Sequence, residues 1–333
     1  MSAATSLRRP RVRRSSTESS AAANKILPKA HVFAPATARP QHDLKSLFKL
    51  RGRPGYYNAG AKVALLRRGK TTPHDELLVD FSGSEVYVEL RAGGHSLLAG
   101  DWTWEASAAG QPLTAEGDWT EVLWHRENDG DYLEIERQLS DGWKLERQML
   151  LARKDGFLLV ADAVLGPVTS PVEIRHAQSL PLAKELTFDG AKETREGSLM
   201  LGGRRKASVV APALPEWRAE FVQGELAAEK SQVTLRQAAL GCNLFAPLWI
   251  DLDPRRASRP LTWRRLTVGE NLAKVPRDIA AAYRIQAGRQ QWLVYRSLGR
   301  AGFRSFLGHN TLSSFVCGRI EPSGETKPIV EIE

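Results

Sequence analysis

The chain has 333 residues, 42% hydrophobic and 26% charged, with a formal net charge of +9; this length allows one large domain or two ordinary ones with a sizeable core. It contains no run of 18 apolar residues, which excludes a membrane-spanning helix. Residues 1–55 hold 12 of the 47 basic residues against two acids, Glu18 and Asp43, so the remaining 35 bases and 36 acids nearly cancel and give the body no global field for polyanions.

Residues 1–55 read as a basic, disordered arm. Pro10, Pro28, Pro35, Pro40 and Pro54 are scattered through Ser- and Ala-rich runs without apolar periodicity, a composition that buries too little surface to offset chain entropy. A short helix around Asp43–Leu50 is the one element the arm suggests. Arg8, Arg9, Arg11, Arg13 and Arg14 lie within seven residues, a block able to contact polyanions with strong salt dependence. No apolar secretory segment precedes it, so a cytoplasmic protein is expected; a misassigned start would leave export open.

From Tyr56 the pattern becomes β. Runs rich in Val, Leu, Trp and Tyr alternate with Gly, Asp, Asn and Pro, as in sandwiches and barrels. Strands are expected at 61–67, 76–81, 85–91, 119–125, 131–139, 143–152, 157–164, 172–179, 208–211, 232–237, 244–251, 261–268, 282–286, 291–297 and 313–319, with a helical turn or two at 277–283. In Tyr132-Leu133-Glu134-Ile135-Glu136, apolar and acidic side chains alternate, the period of a half-buried strand. Trp143, Leu145, Met149 and Leu151 repeat it after Ser140-Asp141-Gly142. Phe157-Leu158-Leu159-Val160-Ala161 is apolar throughout and predicts a strand covered on both faces. The fold expected is all-β: a large antiparallel, supersandwich-like β-sandwich over residues 56–333, either one very large sandwich or two packed units.

Within this frame a few constellations could carry chemistry. Trp102, Trp104, Trp119, Trp124 and Trp143 fall within 42 residues. Most of that set is expected to pack the core, but Trp102, Trp104 and Trp124 are the candidates for stacking on a sugar ring. Arg137 and Arg147 fall on the apolar faces of adjacent strands beside Asp162. A buried guanidinium cannot shed its charge and needs a carboxylate, so Asp162 is expected to pair with one of them in a structural role. The seven histidines form neither H-x-H nor H-E-x-x-H; His125 and His176 are the two that could enter a site, and no metal centre is expected. Asn128-Asp129-Gly130-Asp131 reads as a hairpin turn rather than a calcium loop. Cys242 and Cys317 read as two reduced thiols. Phosphate-loop, dinucleotide and nucleophile-elbow motifs are lacking, so no cofactor is expected.

The segment 132–166, with Leu145-Glu146-Arg147-Gln148-Met149-Leu150-Leu151, then Lys154-Asp155-Gly156, then Phe157-Leu158-Leu159-Val160-Ala161-Asp162, resembles the C-terminal β-sandwich of the heparinase II/III-like polysaccharide lyases. The segments Leu261-Thr262-Trp263-Arg264-Arg265-Leu266-Thr267-Val268 and Phe306-Leu307-Gly308-His309-Asn310 are similar to uncharacterised bacterial proteins associated with that group. The resemblance implies a sandwich and a carbohydrate connection. In that family an α/α toroid ahead of the sandwich supplies the Tyr and His of proton abstraction, and residues 1–55 offer no counterpart. The expected function is therefore a non-catalytic, carbohydrate-associated module with a polysaccharide partner. The alternatives are a polysaccharide lyase using His125, His176 and an Arg in one cleft, and a scaffold protein whose basic arm contacts polyanions. The sequence fixes no oligomeric state.

Overall fold

The computed structural model describes residues 55–69 and 75–333. The expected arm, its short helix, and His31, His42 and His74 lie outside the described residues, Gly55 excepted. In chain order the strands are β1 (Tyr56–Asn58), β2 (Val63–Arg67), β3 (Glu76–Asp80), β4 (Val86–Ala92), β5 (His95–Ala108), β6 (Gln111–Pro112), β7 (Ala115–Arg126), β8 (Gly130–Leu139) and β9 (Lys144–Ala152). They continue as β10 (Phe157–Leu165), β11 (Val172–Pro181), β12 (Leu186–Gly190), β13 (Gly197–Leu201), β14 (Arg204–Val210), β15 (Gly224–Glu229), β16 (Gln232–Gly241) and β17 (Asn243–Asp251). The last are β18 (Leu261–Leu266), β19 (Gly269–Glu270), β20 (Ala273–Lys274), β21 (Ala280–Ala287), β22 (Gln290–Ser297), β23 (Arg304–Phe306), β24 (His309–Thr311), β25 (Phe315–Ile320) and β26 (Thr326–Ile332). The described residues contain no α-helix, only two short 3-10 turns.

The strands form four antiparallel sheets. The first runs β1-β2-β3-β4-β5-β11-β16-β15, with β6 on β5; the central sheet runs β12-β13-β14-β17-β10-β9-β8-β7. A third sheet runs β18-β21-β22-β25-β26 and a small fourth runs β20-β19-β23-β24. Alternation along the strands explains the layering, because successive side chains point to opposite faces. From the central sheet, Leu133, Ile135, Leu145, Met149, Leu158 and Val160 join Leu66, Val79, Val88, Trp102 and Leu235 of the first sheet in one core. Their strand neighbours Tyr132, Leu150, Phe157, Leu159 and Ala161 join Trp263, Ile285, Trp292 and Phe315 of the third sheet in another. The central sheet is thus shared by two sandwiches. The third sheet's outer face, with Ala282, Leu293 and Tyr295, packs on Val268, Val275 and Phe306 of the small sheet and its connections.

Two local expectations need correction. Residues 95–108 form one 14-residue strand where none was among those expected. Gly93 and Gly94 make the turn into β5, and Gly100 gives the backbone room where a Cβ would sit 3.0 Å from Pro181. Residues 277–283 form only one turn, closed by the Ala280 amide on the Pro276 carbonyl at 3.1 Å. From Ala280 onward the segment is strand, because Ala281 and Tyr283 face one core while Ala280 and Ala282 face the other.

Candidate functional site

The residues singled out by sequence fall into two places. The first is a polar cluster inside the sandwich of the first and central sheets. Arg147 on β9 lies opposite Asp162 on β10. Its Nε donates to Oδ1 at 2.8 Å and its Nη2 to Oδ2 at 3.0 Å, a bidentate pair with neither side chain exposed. Nη1 donates to the Trp102 carbonyl at 2.8 Å, and the guanidinium lies 3.8 Å from the centre of the Trp102 ring. From the facing sheet, His176 on β11 brings Nε2 to 3.1 Å from Asp162 Oδ2. That approach is not aligned as a hydrogen bond, and neither ring nitrogen has another partner among the described residues. Burial alone raises the Asp162 carboxyl, but the charge and hydrogen bonds of Arg147, with a smaller pull from nearby His176, outweigh it and hold it below the usual carboxylate range.

Arg137 plays a different part. It donates Nε to the Gly117 carbonyl at 2.9 Å and Nη1 to the Ser84 carbonyl at 2.5 Å, tying the β7 and β4 ends of the sandwich together. The Arg147–Asp162–His176 cluster is sealed in the core, so it binds two sheets to one another and touches no solvent.

The second place is the sandwich's edge. The three tryptophans proposed to stack on sugar do not form one surface. Trp102 is fully buried and lies beneath Arg147, so it is excluded from any platform. Trp104 is half-buried, with its Nε1 enclosed and unpartnered among the described residues. Trp124 is half-buried on β7, the edge strand of the central sheet. It stacks on Tyr57 of β1, the edge strand of the first sheet, with ring centres 5.5 Å apart at 20°. The Tyr57 hydroxyl donates to Glu121. Burial, then that hydrogen bond and the carboxylate's charge, push the phenol's pKa well up. His125, on the same strand, is half-buried, with Nε2 2.9 Å from Glu127 Oε1. Trp124, Tyr57 and Glu121 thus make a ledge with aromatic faces and a carboxylate side by side, while His125, opposite Tyr132 where Trp124 is opposite Leu133, points to the other face of β7. Such a ledge offers an apolar face for sugar C–H groups and hydrogen-bond partners for hydroxyls.

His125 and His176 are not brought together; one is beside Glu127 on the edge strand β7 and the other is in the core. Tyr57 was invisible to sequence reasoning, since it lies 67 residues from Trp124 and only strand packing joins them. The turn at 128–131 is closed by the Glu127 amide on the Gly130 carbonyl at 2.9 Å. Its carboxylates are taken up locally: Asp129 by Lys154, and buried Asp131 by Arg126, Arg153 and the Arg67 amide. No cluster of three or more His, Cys, Asp or Glu able to hold a metal ion occurs among the described residues. Cys242 and Cys317 are both free, and burial raises the Cys317 thiol well above its ordinary pKa.

Other polar groups join the central sheet to the third. Arg296 of β22 reaches Glu134 at 2.7 Å and also Glu146, while the Tyr132 hydroxyl donates to Glu134 at 2.5 Å. Asp155 accepts from Trp292 Nε1 and from Arg319 Nε, each at 2.8 Å.

No family model and no curated protein matches the chain. Among solved structures it is similar to the heparan sulfate lyase HepC from Pedobacter heparinus, with TM-score 0.49 and 11% identity over 74% of this chain and 43% of that one. It is also similar to a heparinase III with methylated lysines (TM-score 0.48, 8% identity, 74% and 42% covered). A further heparinase III gives TM-score 0.41 and 12% identity, with 71% and 41% covered. The chain spans less than half the length of each of these lyases, and the likeness is one of fold to part of them.

Proposed function

We propose that this chain is a carbohydrate-associated β-sandwich module that holds a saccharide without transforming it. The observation that carries the reading is the ledge on the sandwich edge, where Trp124 stacks on Tyr57 beside Glu121. Tryptophan and tyrosine supply wide apolar faces at low entropic cost, and the neighbouring carboxylate can take hydroxyl hydrogen bonds. The non-catalytic part of the reading is supported by the core cluster. General acid–base work needs a titrating group within reach of substrate, and His176, Asp162 and Arg147 are spent on each other out of solvent.

The test is a titration of the full chain with neutral and uronate oligosaccharides, alongside Trp124→Ala. Binding that weakens about tenfold in the variant, a loss of about 1.4 kcal/mol, with no cleavage of the sugar, is the expected result. Undiminished binding by the variant removes the ledge. Release of unsaturated sugar ends would instead make the chain a lyase.

A further inference from the structure

The outer face of the first sheet, turned away from the central sheet, is of two kinds. Across β5, β11, β16 and β15 the row Glu105, Ala177, Arg236, Glu225 runs from strand to strand, and its three charged side chains are exposed. Across β1 to β4 the rows are Tyr56, Leu65, Leu78, Glu89 and Asn58, Val63, Asp80, Tyr87. Residues directly opposite one another share a face, and this one lies opposite the core built on Ala64, Leu66, Leu77 and Val79. Val63, Leu65 and Leu78 are nevertheless only 2%, 0% and 0% exposed. They form an apolar cluster of their own, against which the described apolar side chains are Tyr56 and Ala61.

No described sheet lies over this cluster. The central sheet fills the inner face, and the third and fourth stack beyond the central one. The β2–β3 connection at 70–74 reads Lys-Thr-Thr-Pro-His and brings no large aliphatic side chain. The segment ahead of β1 does: Asp43-Leu44-Lys45-Ser46-Leu47-Phe48-Lys49-Leu50, followed by Gly52 and Pro54. In the short helix that sequence suggests there, Leu44, Leu47 and Phe48 share one side, with Asp43 at the N-cap and Gly52 past the end. Eight helical residues span about 12 Å, enough to cross two or three strands spaced about 4.8 Å. The four residues 52–55 reach about 13 Å, back to β1, which borders β2. Charge matches as well. The face carries Glu76, Asp80, Glu89 and Asp101 against Arg67 and Arg91, and the segment brings Lys45 and Lys49.

We propose that the outer face of β1–β4 is a docking surface for residues 43–51 of this same chain, a strap whose Leu44, Leu47 and Phe48 sit on Val63, Leu65 and Leu78. The folded body then begins near residue 43 rather than 56, and the basic block 8–14 joins it across this face. The strap also secures a weak element. Strand β1 has three residues and pairs only with β2, yet its Tyr56 lies on the strapped face while its Tyr57 stacks on Trp124 on the other.

The experiment is a double-mutant cycle in the full chain, Phe48→Ala and Leu78→Ala singly and together, read by urea unfolding and by binding of a hydrophobic dye to the native state. Phe48→Ala is expected to raise the unfolding constant about tenfold or more and to admit dye. Side chains in contact are expected to be coupled, so Leu78→Ala should cost at least about threefold less once Phe48 is gone. If Leu78→Ala does not fold, Val63→Ala, a smaller truncation on the same face, takes its place in the cycle. Arg11→Ala/Arg13→Ala, outside the strap, should change neither readout. A Phe48→Ala variant with unaltered stability and no added dye overturns the proposal, as do effects that combine independently to within about twofold. Stability that rises with protein concentration, and loses that dependence in Phe48→Ala, hands the strap to a second copy and overturns docking within one chain.

Discussion

Arg147 has no exposed atom, a permanent charge, and one carboxylate that can balance it. Removing it strands Asp162 in the core, so Arg147→Ala is expected to cost about 3–5 kcal/mol, read from urea unfolding. Replacing both partners with apolar residues, Arg147→Met with Asp162→Leu, should recover much of that loss, because no buried charge is left unpaired. The same pair sets a pH dependence. The Asp162 carboxyl sits lower in the folded than in the unfolded chain. Its contribution is complete above the unfolded value of about 3.9 and is lost as pH falls through the folded value. Asp253, brought down to about 2 chiefly by its hydrogen bond from Arg255, adds to the same acidic window. Thermal midpoints should therefore fall on acidification below about pH 4, and more shallowly in Asp162→Asn. The pairing was legible in sequence from the strand phase of residues 147 and 162. His176 was not, because it arrives from the opposite sheet.

At the scale of elements, the hairpin β19–β20 holds an unfavourable turn. Its two loop residues, Asn271 and Leu272, both have positive φ, 51° and 63°, the type I′ arrangement in which Asn-Gly is preferred. Leu272 gains nothing in return, since its side chain is fully exposed. Left-handed backbone costs a non-glycine residue about 1–2 kcal/mol. Leu272→Gly is thus expected to stabilise the protein by about 1 kcal/mol in thermal or denaturant unfolding. Strand β10 makes the opposite case, with local pattern and tertiary role in agreement. Its unbroken apolar run could only be a strand covered on both faces, and Leu158 and Leu159 do enter different cores. Strand β5 was not among the strands expected from sequence; its glycines serve a turn and a close approach to Pro181 that only the folded chain displays.

For the whole molecule, the consequence of one sheet serving two cores is cooperativity. Leu158 faces Trp102 and the first sheet, while Leu159 faces Trp292 and the third. Neither sandwich can lose the central sheet without exposing the other's core. Far-ultraviolet circular dichroism and tryptophan fluorescence should therefore trace one coincident unfolding transition. Leu158→Ala and Leu159→Ala, though pointing into different cores, should each shift that single transition by about 2–5 kcal/mol. Two separated transitions, with only one displaced by each variant, would refute the shared-sheet account.

Sequence by itself determined what depends on near neighbours along the chain. Period-two alternation fixed the β class, the tight turns at 140–142 and 154–156 fixed the β8–β9–β10 meander, and an arginine in an apolar phase required an acid. Only the tertiary structure decided what depends on which strands become neighbours across sheets. It buried Trp102, set Trp124 against Tyr57, separated His125 from His176, and closed off Val63, Leu65 and Leu78 on the first sheet's outer face. The reason is physical: an alternating pattern states that a strand has an inside, but the same pattern fits any partner sheet. The choice of partner is settled by packing and charge pairing summed over the whole chain.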